Sequence, residues 1–357
     1  MRLDASNLSA LARGCAVLGA GGGGDPALAL AMAMLAVEEH GPVPVVAPDD
    51  LDRGTLVMPC GLAGAAAVAD ERVWGGDEGR ILRAAIEAER GGAVGALMAF
   101  EIGGAGGVLP VTWAARLGLP LVDADGMGRA FPGLHQQSMH LAGVPASPVV
   151  LADARADTVV VRADTDERAG RVARSAVDGL GGVCAAALFC MTGAEVRGAA
   201  IEGSLTLAID VGEAMVAEEP ADPIEAMLAV LDGEILAQGR VVELERRGIG
   251  GAGGASATIH AGGASRLRLE MQSEYLLAME DGEVRAAVPD LICVLASETG
   301  EPVAAGALRH GGRVTVIAAP GPEVWRSPAG RAIAGPSAFG LDVDHAPPAG
   351  QAADAAA

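Results

Sequence analysis

Lysine is absent from this chain: all 25 basic residues are arginine. Schiff-base chemistry, a lysine general base and the lysine of a Walker-type phosphate loop are therefore excluded. Aromatic residues make up only 2% of the 357 positions, so packing has to rest on Ala, Gly, Leu, Val and Met brought close together. Cysteine is scarce as well. The five cysteines (Cys15, Cys60, Cys184, Cys190, Cys293) are odd in number, scattered, and form no C-x-x-C pair. That fits neither a disulfide framework nor a cysteine zinc knuckle, and it fits a reducing cytosol. No stretch offers about 18 uninterrupted apolar residues, and Met1-Arg-Leu-Asp lacks the layout of a signal peptide. The expectation is a soluble cytoplasmic protein with no membrane partner. Positive charge is short too: 25 basic against 46 acidic residues give a net charge of −21. A field of that sign repels phosphate backbones and anionic lipid, so nucleic acid is not an expected partner.

Apolar side chains are plentiful, at 51%. A chain of this length can bury a large core, and at about 150 residues per domain two domains are expected. Up to about residue 150, short apolar runs alternate with helical patterns, which predicts an α/β unit over residues 1–165 around a parallel or mostly parallel sheet. Ser6 to Arg13 reads as a helix and Cys15 to Leu18 as a short strand. A glycine turn, Gly19 to Gly24, then leads to Asp25-Pro26, a cap and first helical residue that open a helix over Ala27 to Glu39. Thr55 to Met58 reads as a strand, Pro59 to Gly64 as a loop at the sheet edge, and Glu78 to Arg90 as a helix with Ile81, Leu82 and Ile86 on one face.

Residues 166–345 predict a smaller, β-rich α+β unit. The pattern changes beyond about residue 150, where the runs Thr158 to Val161, Val183 to Phe189, Ile235 to Leu244, Ala257 to His260, Arg266 to Met271, Glu283 to Val288, Leu291 to Leu295 and Arg313 to Ile317 are short and parted by Gly, Pro or Asp turns. Helices interrupt them at Asp166 to Asp178, Ser204 to Val216 and Pro223 to Leu231. Gly250 to Gly254 reads as a flexible loop, and residues 346–357 as a disordered Pro/Ala/Gly tail.

The chemistry is concentrated in Met98 to Pro148. One apolar run ends at Glu101 and a second, Leu119 to Val122, ends at Asp123-Ala-Asp125-Gly-Met-Gly-Arg129. Two neighbouring strands would thus deliver carboxylates at the sheet edge where ligands bind in open α/β folds. Burial and mutual repulsion among Glu101, Asp123 and Asp125 would raise at least one pKa into the range of a general base. The alternative is that the aspartates are turn residues satisfying local amides. Glu101, Asp123 and Asp125 with His140 or His135 could also hold a divalent metal such as zinc, which accepts mixed N and O ligands and keeps a position for water. Against that, His135 and His140 are five apart on one expected helix and so do not share a face. Arg129 could clamp a substrate carboxylate or neutralise the two aspartates. Gly19, Gly21 and Gly24 match G-x-G-x-x-G, yet no acidic strand end follows at dinucleotide spacing. The amides of Gly21, Gly22, Gly23 and Gly24 at a helix start could instead face a small anion or carbonyl, or the bend could be packing alone. Cys60, in its expected loop, reads as a small hydrophobe or a nucleophile.

The strings LGAGGGGDP (18–26), FEIGG (100–104), GLPLVDADGMGRAFP (118–132), PDLICVL (289–295) and GPSAFGLD (335–342) resemble the S-methyl thiohydantoin desulfurase-like family nearly end to end. The resemblance implies a hydrolase acting on a five-membered, hydantoin-like ring: water adds to the carbon bearing the S-methyl group, methanethiol leaves and a hydantoin remains. Relatives found beside hydantoinase and oxoprolinase modules leave two alternatives, a related cyclic amide or imide hydrolase and a partner subunit of one. A non-enzymatic small-molecule binding or assembly protein is a third. A homo-oligomer is expected. In Gln272-Ser-Glu274-Tyr275 the family usually carries asparagine where Ser273 stands, so the resemblance assigns this segment no role.

Overall fold

The computed structural model describes residues 1–69, 71, 74–216, 222–247, 253–262 and 265–345. The expected tail, and residues 250–252 of the expected glycine loop, lie outside them. Two large sheets organise these residues, one mixed and one antiparallel, so the α/β plus β-rich expectation holds at that level.

The first sheet runs in the order Arg2–Leu3, Val43–Val46, Leu121–Val122, Val94–Ala99, Leu56–Gly64, Val183–Ala187, Val149–Ala152, Thr158–Val161. Its four strands from Val43–Val46 to Leu56–Gly64 are parallel, as the strand-helix alternation requires. Beyond them the pairing turns antiparallel. This corrects the reading of Thr158 to Val161 and Val183 to Phe189 as part of the second unit: both runs pair in the first sheet. Val183–Ala187 is buried on both faces, so its short apolar run carried no alternation to show which sheet it joined.

Two further corrections concern the first turns. Cys15 to Leu18 is not a strand but the end of one helix, Leu8–Leu18. Its apolar residues face the core on one side and the helix Ser204–Ala214 on the other. A Cβ on Gly14 would lie 1.7 Å from the Ala208 carbonyl oxygen, and one on Gly212 would lie 1.8 Å from that of Ala10, so glycine is what lets the two backbones meet. Pro59 to Gly64 is not a loop either. The strand Leu56–Gly64 runs straight through it, with Cys60 paired beside Ala99 and Ala187. Cys60 is fully buried, and burial pushes its thiol well above the ordinary range. It is a core residue.

The helix after the glycine bend forms as expected over Pro26–His40, with Asp25 accepting from the Ala27 amide at 2.8 Å. The second sheet has the order Glu283–Ala287, Tyr275–Glu280, Arg266–Met271, Ala255–His260, Glu234–Arg246, Arg313–Ala319, Leu291–Ala296. It is antiparallel throughout. A C-terminal segment then returns to the first half of the chain. Trp325 Nε1 donates to the Met127 carbonyl at 2.7 Å, and Phe131 meets the Trp325 ring edge-on at 5.3 Å between centroids. His345 Nε2 lies 2.7 Å from Asp290 Oδ2. Among the described residues, no helix is long and apolar enough to cross a membrane.

Candidate active site

Backbone geometry fixes the site first. The bend at residues 19–24 takes positive φ at Ala20, Gly21, Gly23 and Gly24, a path that is least strained for glycine. Both halves of the chain hold it in place. The Ala20 carbonyl accepts from Tyr275 N at 2.8 Å, that of Gly21 from Ala305 N at 2.9 Å, and that of Gly23 from Ala105 N at 2.9 Å. The Gly22 amide is spent on the Gly19 carbonyl. Side chains crowd this backbone: a Cβ on Gly22 would lie 2.5 Å from Glu274 Oε1, and one on Gly21 would lie 2.5 Å from the Tyr275 ring.

Glu101 follows the strand Val94–Ala99 and lies against Gly106, where a Cβ would come within 2.6 Å of its side chain. It is 8% exposed. Burial first, then the charges of Glu274 and Asp125, push its carboxyl well above the usual range. Asp125 is fully buried. Its Oδ2 accepts from the amides of Ile102 (2.9 Å), Met127 (3.0 Å) and Gly128 (2.8 Å), while Oδ1 has no partner among the described residues. Burial raises its pKa to about 6 despite those amides and the Ser204 hydroxyl, which favour the ionised form. Glu274, 3% exposed, is raised by burial to about 7, with Arg129 acting in the opposite direction. Three dry carboxyls thus share one electrostatic environment beside the glycine bend.

Arg129 is buried with them. Its guanidinium donates to the carbonyls of Ala130, Asp290 and Tyr275, and its carbon sits 5.2 Å from the Phe131 ring centroid. Burial lowers its pKa to about 10. It therefore ties the DADGMGR turn to the second sheet and offsets the charge of Glu274. It makes no ion pair with Asp123.

The structure separates Asp123 from Asp125. The Asp123 carboxylate accepts from Leu205 N (2.9 Å), Thr206 N (3.1 Å) and Thr206 Oγ1 (2.5 Å), so it caps the helix Ser204–Ala214. Strand alternation would put two residues two apart on one face, but Asp123 lies in the break between the strands Leu121–Val122 and Ala124–Asp125, and the pairing of Ala124–Asp125 with Ile201–Glu202 brings the start of the helix Ser204–Ala214 to it. The two histidines join neither aspartate. The helix here spans only Ser138–Leu141, and His135 precedes it. His140 Nδ1 lies 2.6 Å from Asp166 Oδ2. Burial, then the charge of His140, lowers the pKa of His135. Asp123, Asp125 and His140 are thus not brought together, and among the described residues no group of three or more His, Cys, Asp or Glu side chains is placed to hold a metal ion.

Glu274 is the residue that sequence reasoning passed over. The available signal was an acid beside the chain's single tyrosine in a Gln-Ser-Glu-Tyr turn, but nothing local says that this turn meets a bend 250 positions earlier. A cavity of about 190 Å³ lies beside the same bend, lined by Asp25, Ala27, Leu28, Leu62, Trp74, Ala105 and others, and none of the three acids lines it.

Comparison with known proteins extends this picture. A crystal structure of a protein from Chromobacterium violaceum is 24% identical, covers 97% of this chain and 99% of its own, and superposes with a TM-score of 0.78. At that identity the likeness establishes the fold. Comparison with curated proteins gives no match. Residues 6–163 match the family model described as S-Me-THD-like, N-terminal domain, and residues 164–348 match that described as S-Me-THD-like, C-terminal domain. Together these matches span nearly the whole sequence, and the chain therefore belongs to the S-Me-THD-like (S-methyl thiohydantoin desulfurase-like) family.

Proposed function

We propose that the protein is a hydrolase that removes the methylthio group of an S-methyl thiohydantoin as methanethiol. The observation that carries this reading is the dry trio of Glu101, Asp125 and Glu274, whose acids are driven apart in function by their surroundings. Asp125 has one oxygen fixed by three amides and a pKa of about 6, so near neutral pH it is ionised and its free Oδ1 can take a proton from water. Glu101, raised well above the carboxylate range, keeps its proton and can deliver it to the leaving group. Paired acids with separated pKa values are the pattern of general acid–base catalysis.

The chemistry balances without a redox partner. Water oxygen adds to the ring carbon bearing sulfur and gives one proton to Asp125. The carbon–sulfur bond then breaks, the thiolate takes a proton from Glu101, the remaining hydroxyl proton moves to the ring nitrogen, and the product is a hydantoin carbonyl plus methanethiol. Proton return from Asp125 to Glu101 closes the cycle, with Glu274 close enough to Glu101 to tune it. Arg129 keeps the negative charge on Glu274 tolerable.

Purified protein incubated with an S-methyl thiohydantoin and assayed for free thiol tests the reading. Release of methanethiol with appearance of the hydantoin is the expected result. Ring opening of hydantoin itself would point to a cyclic amide hydrolase, and thermal stabilisation by the ring without turnover would point to a binding protein. Either outcome overturns the desulfurase reading.

A further inference from the structure

Two adjacent glutamines have opposite fates. Gln136 is 4% exposed with both ends of its carboxamide satisfied: Oε1 accepts from Gly133 N and Nε2 donates to the Ile333 carbonyl, both at 2.8 Å. Gln137 is fully buried, and among the described residues neither its Oε1 nor its Nε2 has a partner. It is nonetheless held in place. Ser138 N donates to the Gly126 carbonyl at 2.7 Å and His140 N to the Gln137 carbonyl at 3.0 Å. The carboxamide itself lies so close over Gly126 that a Cβ there would be 1.8 Å from Oε1. Gly126 follows Asp125 directly, and Asp125 Oδ1 and Ser138 Oγ also lack partners.

Burying a carboxamide with neither its donor nor its acceptor satisfied is costly, and native proteins rarely do so outside functional sites. The chemistry of the missing partner follows from the group. A carboxamide presents a donor and an acceptor side by side in one plane, so its full complement is a donor next to an acceptor on a single edge. A trans peptide cannot supply that, because its N–H and C=O point to opposite sides. A ring amide, locked cis, does.

We propose that Gln137 is a specificity residue that pairs through its carboxamide with the cis N–H and C=O edge of the cyclic substrate, beside the reacting centre at Asp125. This rests on the hydrolase reading above, since it takes the ring as the ligand.

The test uses the full chain and three probes, hydantoin and its two mono-N-methyl derivatives, with calorimetry and the melting temperature of ligand-free protein. Wild type is expected to bind hydantoin and to bind one of the methylated rings at least about 10-fold more weakly, because methylation removes one donor from the edge. Gln137→Met, similar in volume, is expected to bind hydantoin and that methylated ring with the same reduced affinity. It should melt about 2 °C higher than wild type without ligand, because two unpaired polar groups are gone. In turnover the variant is expected to raise KM with kcat little changed. Equal hydantoin affinity in wild type and Gln137→Met overturns the proposal, as does a lower melting temperature with unchanged affinity, which would mark a structural role or an ordered water only. Should the variant not fold, the methylated rings on wild type decide alone, and equal affinity for all three overturns it. Methanethiol release separates the two readings: hydantoin binding that depends on Gln137 without any release sinks the hydrolase and leaves this inference, whereas release with binding independent of Gln137 sinks only this inference.

Discussion

Two clusters of titratable groups sit on either side of the Gly126–Met139 segment, and they are built on opposite principles. At His140, Asp166 and Glu167 the charges are paired and partly wet: the side chains are 23%, 13% and 55% exposed, and Asp166 accepts from both His140 and the Ala146 amide. At Glu101, Asp125 and Glu274 like charges are gathered in a dry place, with Asp125 Oδ1 and Glu274 Oε2 left without partners among the described residues. Folding alone favours the first arrangement. The second costs stability at neutral pH, so its persistence is best explained by chemistry it performs. The comparison can be broken by variants that exchange the two expected signatures.

The largest effect belongs to Asp125→Asn. The asparagine carbonyl can keep the three amides of Ile102, Met127 and Gly128, while the free oxygen becomes an NH2 that cannot take a proton. Methanethiol release should fall by about 10³-fold in kcat, within the range of a lost general base, with the melting temperature unchanged or higher. A variant retaining kcat within about threefold would remove Asp125 from the chemistry.

The next effect is on stability against pH. A carboxyl whose pKa is higher folded than unfolded contributes stability that is complete below its unfolded value near 4 and is lost as pH rises through its folded value. For Asp125 that window ends near 6 and for Glu274 near 7. Stability should therefore decline from about pH 4 to pH 8, by roughly 3 kcal/mol from Asp125 alone. Denaturant midpoints measured across that range should slope downward in wild type and flatten in Asp125→Asn and Glu274→Gln. An upward slope in wild type that flattens in the two variants would mean that these acids are paired rather than dry.

How much of this was legible in the sequence follows from what each signal depends on. The helix at Pro26–His40 was readable because Asp25-Pro26 is local cap chemistry, and Glu101 and Asp125 because apolar runs end at them. The glycine bend was readable as a bend, but its partners were not: Glu274 reaches Gly22 through contacts between residues 252 apart. Asp123 and Asp125 looked equivalent, and only the pairing of Ala124–Asp125 with Ile201–Glu202 sends one to a helix cap and the other to the core. Cys15 to Leu18 was misread because four apolar residues fit a strand or the last turn of a helix equally well, and the helix partner that decides it, Ser204–Ala214, lies about 190 residues away. Gln137 gave no signal at all, since a polar residue beside a turn is ordinary until its surroundings are known to be dry.

The smallest effect tests the wet side of the comparison. Asp166→Ala removes the partner of His140 Nδ1 and of the Ala146 amide. Hydrogen bonds to a charged group at this partial exposure contribute about 1.5–3 kcal/mol together after solvent screening. Chemical denaturation should therefore show a loss of about 2 kcal/mol, with kcat for methanethiol release within about twofold of wild type. The reverse pattern, intact stability with kcat down more than tenfold, would place the histidine cluster in the reaction and erase the distinction between a paired cluster that holds the fold and an unpaired one that works in it.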